Sequence, residues 1–126
     1  MRQKNYVLVI EDDEKDEAMI TECLKKEGWE FIVAKNGTDA LRLAQENTPG
    51  LIILDLMLPG VNGFKLAQIF KADMALKETP IIVLSVLNTT DKSALIKRLG
   101  VEEQLAKPVD IQILAQTAGK YLGKGV

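Results

Sequence analysis

Short runs rich in Val, Ile and Leu recur along this chain, separated by longer stretches in which apolar residues return at helical spacing. The runs are Tyr6–Ile10, Phe31–Ala34, Leu51–Leu54, Ile81–Leu84 and, more weakly, Glu103–Ala106. Unbroken apolar runs of this length suit strands buried on both faces, as in parallel sheets. The stretches between them run to about ten to fifteen residues, the signature of βα units.

In the first stretch Ile20, Cys23 and Leu24 share one face, and Gly28 predicts the C-terminal stop. In the second, Ala40, Leu41, Leu43 and Ala44 follow Gly37-Thr38, with Thr38 as the expected cap. The third is expected from Phe64 to Met74, with Leu66, Ala67, Phe70 and Met74 as its apolar stripe. The fourth, Asp91 to Leu99, ends at Gly100, and the fifth, Val109 to Leu122, carries Leu114, Ala118 and Leu122. These stripes read as core rather than as a cofactor box. The alternation predicts an α/β domain: a doubly wound, five-stranded parallel sheet with five helices, in the flavodoxin-like order 2-1-3-4-5. One domain over residues 1–126, with an ordered core of about 5–122, accounts for the whole length. No linker, repeat or low-complexity segment divides it.

Composition sharpens the picture by what it lacks. The 126 residues contain no histidine, which removes the commonest general base and the commonest metal ligand together. Ser-His-Asp and Cys-His catalysis are thereby excluded. The single cysteine, Cys23, rules out a disulfide framework within the chain and suits a reducing compartment. With 16 basic and 18 acidic residues the net charge is −2, so no basic footprint for direct nucleic-acid binding exists. The apolar runs fall far short of the ~20 residues of a membrane-spanning helix, so membrane insertion is not expected. Residues Met1 to Asn5 lead into a strand rather than the apolar stretch of a signal peptide, and the expected compartment is the cytoplasm.

The chemistry gathers at the ends of the strands. The first strand ends in Glu11-Asp12-Asp13, the third in Asp55, the fourth at Ser85, and the fifth runs into Lys107-Pro108. In open α/β sheets, ligands sit beyond the carboxyl ends of the strands, where strand order reverses. In the 2-1-3-4-5 order the first and third strands are neighbours there, so Glu11, Asp12 and Asp55 share one crevice. Carboxylates this close raise one another's pKa unless a cation offsets the repulsion. Mg²⁺ suits such a site, because it takes one or two carboxylates together with waters and phosphate oxygens. Taken singly, each residue has a plainer reading: a helix cap for Asp12 or Asp13, a turn carboxylate for Asp55, a strand-end hydroxyl for Ser85, a solvated amine for Lys107. Their joint placement argues for function.

These segments resemble the receiver domain of two-component response regulators over nearly the whole chain. The motifs are Val7-Leu8-Val9-Ile10-Glu11-Asp12-Asp13, Leu54-Asp55-Leu56-Met57-Leu58-Pro59-Gly60-Val61-Asn62-Gly63, Leu84-Ser85 and Leu105-Ala106-Lys107-Pro108. The resemblance implies that Asp55 is the phosphoryl acceptor. It implies that Asp12 binds Mg²⁺ directly and Glu11 through water, with the Met57 backbone carbonyl completing the protein's share of the shell. Ser85 and Lys107 would hold phosphoryl oxygens, and the Lys107–Pro108 bond would be cis. A carboxylate can attack phosphorus without a histidine base. The donor would be a sensor histidine kinase or a histidine phosphotransfer protein, since this chain has no histidine to carry the group. With no output segment after Val126, signalling would pass to a downstream protein by contact, whether the chain is free-standing or excised from a longer one. Such a chain would catalyse its own phosphotransfer and dephosphorylation rather than a metabolic reaction.

Two positions depart from the family's habit. Val86 follows the strand-four hydroxyl where Ala or Gly is usual, and Gln104 replaces the aromatic usual three residues before the lysine. Gln104 reads as a solvated edge residue, because a buried amide must satisfy its donors and acceptors. These departures keep a pseudo-receiver, never phosphorylated, as the alternative. A phosphohydrolase of haloacid-dehalogenase type would want a second Asp where Met57 stands. A flavodoxin-type binding module would want a Ser/Thr/Gly-rich loop where the acids stand.

Overall fold

The computed structural model describes residues 6–58, 62–86 and 97–123. Five parallel strands form one sheet in the order β2-β1-β3-β4-β5: β1 (Val7–Ile10), β2 (Phe31–Ala34), β3 (Leu51–Asp55), β4 (Ile81–Ser85) and β5 (Glu103–Ala106). Among the described residues four helices connect or flank them: α1 (Glu14–Glu27), α2 (Gly37–Glu46), α3 (Gly63–Ala72) and α4 (Ile111–Leu122), the last being the fifth helix of the sequence reading. Of the expected helix from Asp91 to Leu99, Lys97 and Arg98 are helical and residues 91–96 lie outside the described residues. The same holds for Pro59, Gly60, Val61 and Leu87. The sheet order and the α/β class agree with the sequence reading.

Strand alternation splits the core in two. Leu8, Ile10, Ile52, Leu54, Ile81 and Val83 join Ala40, Ala44, Leu66 and Phe70 on the side of α2 and α3. Val7, Val9, Leu51, Ile53, Ile82 and Leu84 join Ile20, Leu24, Leu114 and Ala118 on the side of α1 and α4. Both faces of β1, β3 and β4 are sealed, which is why their sequences are apolar without a break.

Three details correct the sequence reading. Asn36, not Thr38, caps α2: its side chain accepts the Asp39 backbone N–H at 2.8 Å, and Thr38 is exposed within the first turn. Met74 is 80% exposed and lies beyond α3, which stops at Ala72 with Asp73 as its C-cap. The following turn buries Leu76 instead, so the apolar period was broken by the chain reversal. Helix α4 begins at Ile111, two residues later than expected, because Asp110 caps it by accepting from Gln112 N at 2.9 Å and Ile113 N at 3.1 Å.

Two caps place the carboxyl end of the sheet. Asp13 accepts the Asp16 N–H at 2.8 Å and starts α1 immediately after the acids of β1. Asn62 accepts from Phe64 N at 2.9 Å and starts α3, whose first residue, Gly63, lies against the backbone that leaves Asp55. A Cβ at Gly63 would stand 2.5 Å from Leu56 Cα and 2.6 Å from Leu56 O. We expect Gly63→Ala to cost about 1–3 kcal/mol, the usual scale of overpacking against backbone. Chemical denaturation would show this as a lower midpoint at unchanged slope.

Candidate functional site: an acidic cleft bridged by one lysine

Register and alternation decide which side chains meet at the end of the sheet. Ile10 pairs with Leu54, so Glu11 stands beside Asp55 one step further on. The Glu11 N–H donates to Ala34 O at 3.1 Å, which continues the β1–β2 ladder past the strand. Lys107 N likewise donates to Ser85 O at 2.9 Å and prolongs the β4–β5 ladder. Val7, Val9 and Glu11 alternate onto the α1 side, as do Leu51, Ile53 and Asp55. The Lys107–Pro108 peptide is cis, as the resemblance implies.

Asp55 is 2% exposed and Glu11 fully buried. Each oxygen of Asp55 has a donor: Met57 N gives Oδ1 a hydrogen bond of 3.0 Å, and Lys107 Nζ gives Oδ2 one of 3.0 Å. Glu11 Oε2 accepts from Asp13 N at 3.3 Å. Its Oε1 has no hydrogen-bond partner among the described residues and lies 3.6 Å from Lys107 Nζ. One carboxylate oxygen from each of Glu11, Asp12 and Asp55 falls within 4.8 Å of the others. Asp12, Asp13, Glu14, Lys15 and Met57 line an open cleft of ≈ 690 Å³ alongside. The Ser85 hydroxyl is buried at the end of β4, with no partner among the described residues.

The candidate site residues Glu11, Asp12, Asp55, Met57, Ser85 and Lys107 thus lie at this end of the sheet. Asp16 was missed. Its Oδ2 lies 3.0 Å from Lys107 Nζ, as close as Asp55 does. The signal was its place in the first turn of α1, four residues after Asp12, but an acid there reads as an ordinary complement to the helix dipole. Of the two departures, Val86 is 49% exposed. Gln104 is part-buried on β5, the edge strand, beside Val83.

The electrostatics follow from burial and charge. Burial pushes the Glu11 carboxyl up from 4.5 to about 8, helped by the neighbouring Asp55 carboxylate and opposed by Lys107 and the Asp13 N–H. Burial acts to lower the Lys107 ammonium, but its hydrogen bonds to Asp16 and Asp55 outweigh that and raise it above the ordinary value. A buried acceptor without a donor, in a cluster of hard oxygen ligands, is the chemistry that suits a divalent cation such as Mg²⁺.

Residues 7–118 match the sequence profile of the response regulator receiver domain. The chain belongs to this family. The receiver is 31% identical over 117 residues to the polar-differentiation response regulator DivK of Brucella anthropi, covering 93% of this chain and 95% of DivK. A crystal structure of a putative response regulator from Chloroflexus aurantiacus superposes with a TM-score of 0.88 at 26% identity, covering 97% of this receiver and 100% of that chain. The receiver domain of the sensor histidine kinase PA1611 from Pseudomonas aeruginosa shares the fold, with a TM-score of 0.85 at 22% identity over 96% and 99% of the two chains. That structure holds a magnesium ion coordinated in its active-site cleft. Receiver domains work in two-component signalling, and the acidic cluster of this one has the composition of their phosphorylation and Mg²⁺ site. Among the described residues no helix is long and apolar enough to cross a membrane.

The raised Glu11 carboxyl makes the metal-free receiver pH-sensitive. Its folded-state value lies above the ordinary 4.5, so the folded form binds the extra proton. That stabilisation is complete below about 4.5 and is lost as pH rises through about 8. In chelator, the melting temperature is expected to fall across this window, and Glu11→Gln to flatten the fall. A profile just as steep in Glu11→Gln would assign the effect to another group.

Proposed function

We propose that this receiver accepts a phosphoryl group on Asp55 from a phosphohistidine on a sensor histidine kinase or a histidine phosphotransfer protein, and signals to a downstream protein by contact. The observation that carries this reading is the Asp55 carboxylate, 2% exposed, with Oδ2 3.0 Å from Lys107 Nζ and oxygens of Glu11 and Asp12 beside it.

In the transfer, an Asp55 oxygen forms the new bond to phosphorus while the bond from phosphorus to the donor imidazole nitrogen breaks. Chemistry of this kind rests on in-line positioning and on neutralising charge at the transferring group. Met57 N orients the carboxylate through Oδ1. Lys107 Nζ moves its hydrogen bond from Asp55 Oδ2 to a phosphoryl oxygen, a charge-assisted contact. The Ser85 hydroxyl, buried at the end of β4, donates to a second oxygen. Mg²⁺, held by Glu11, Asp12, Asp55 and the Met57 carbonyl, would supply further positive charge to the transferring group. Met57, 59% exposed, and Val86, 49% exposed, put apolar surface at this end of the sheet, which limits access of water and small donors.

Intact-mass measurement after long incubation with a phosphodonor and Mg²⁺ tests the reading. One phosphoryl group is expected on the wild type and none on Asp55→Asn. No gain in the wild type, even with a phosphorylated phosphotransfer protein, would make the chain a pseudo-receiver. Calorimetry gives a second test: Asp12→Ala is expected to weaken Mg²⁺ binding at least about tenfold, since even the loss of an outer-shell partner costs a metal site that much. Undiminished affinity would remove Asp12 from the metal shell.

A further inference from the structure

Lys107 Nζ has three hydrogens and meets three carboxylates: Asp55 and Asp16 at 3.0 Å each, and Glu11 at 3.6 Å. Two of these belong to the acid cluster. The third comes from α1. Asp16 is fixed there, because its own N–H is the one that the Asp13 cap accepts at 2.8 Å. Its side chain is 24% exposed and that of Lys107 14%, so water screens this pair less than it screens a surface ion pair. A helix-dipole acid would face solvent; this one faces the ammonium that serves Asp55.

We propose that Asp16 is a positioning residue that divides the Lys107 ammonium between α1 and Asp55, loosening the site's hold on a phosphoryl group and strengthening its hold on a divalent cation. This rests on the phosphoacceptor reading for its anionic half. The sign follows from charge and competition. A phosphoryl group on Asp55 needs Lys107, and Asp16 keeps part of that charge engaged elsewhere. A cation on Asp55 has to displace Lys107, and Asp16 supplies the ammonium with a place to go. Asp16 also adds one negative charge near both ligands, which opposes the first and favours the second. A merely structural acid would weaken both when removed.

The test uses beryllofluoride as a phosphoryl mimic, titrated at saturating Mg²⁺ and followed by amide shifts, with Mg²⁺ affinity measured separately by calorimetry. Asp16→Asn is expected to bind beryllofluoride about fivefold more tightly and Mg²⁺ about twofold to fivefold more weakly, the scale of one partly screened ion-pair partner. Asp16→Glu, which keeps the charge, is expected to move both values back toward wild type. Unchanged or weaker beryllofluoride binding in Asp16→Asn would overturn the proposal. If wild type itself takes up no beryllofluoride at saturating Mg²⁺ while Asp16→Asn still weakens Mg²⁺, the phosphoacceptor reading fails and the hold of Asp16 on Lys107 stands. Unchanged Mg²⁺ affinity would overturn that hold as well.

Discussion

Glu11 and Asp55 are sealed from water at the carboxyl end of the sheet, and among the described residues the cation that meets both is Lys107. Burying carboxylates costs several kcal/mol each unless charge or hydrogen bonds offset it. The ammonium and the backbone N–H groups of Met57 and Asp13 provide that offset. Around this arrangement the rest of the end is ordered: β5 must reach far enough to deliver Lys107, and α1 must start at once after Glu11-Asp12-Asp13. Where the offset runs short, at Glu11 Oε1, the protein is left with a group that a proton or a metal can serve.

The sheet makes this concentration of polarity tolerable. Apart from Asp55 and Ser85, the residues of β1, β3 and β4 are apolar and buried, so the acids are confined to the strand ends. Alternation then sorts them by face. Glu11 and Asp55 follow Val9 and Ile53 toward α1 and α4, while α2 and α3 cover the opposite side with Ala40, Ala44, Leu66 and Phe70. Gly63 belongs to the same construction, since only a residue without Cβ lets α3 lie against Leu56 beside the acceptor.

Much of this was legible in the sequence because it rests on rules that act locally. Buried parallel strands must be apolar throughout, so Tyr6–Ile10 and Leu51–Leu54 stood out, and Gly28 ended α1 with its φ of 80°. Polar residues at strand ends could be gathered into one crevice once the strand order was fixed. What escaped depended on distances that sequence does not carry. Met74 kept the helical period of α3, but Asp73 ended the helix first and Leu76 took the buried place. Asn36 and Thr38 are both good caps, and only the backbone at Asn36, extended at φ −150°, decides between them. Asp16 is the instructive case: its contact spans 91 positions, from residue 16 to 107, and its local role in the first turn of α1 fully explains its presence without that contact.

The two edges of the sheet carry a further consequence, for association. β2 and β5 are four residues long each, and β5 begins with Glu103, which accepts from Tyr121 at 2.6 Å and meets Lys120 at 3.3 Å. Unpaired strand edges invite other strands, and short edges with charged residues discourage them. A partner that tried to extend this sheet would gain a ladder of only four residues at either side and would meet charge at one of them. Pairing of strand backbone at the sheet edges is therefore a poor route to association for this protein.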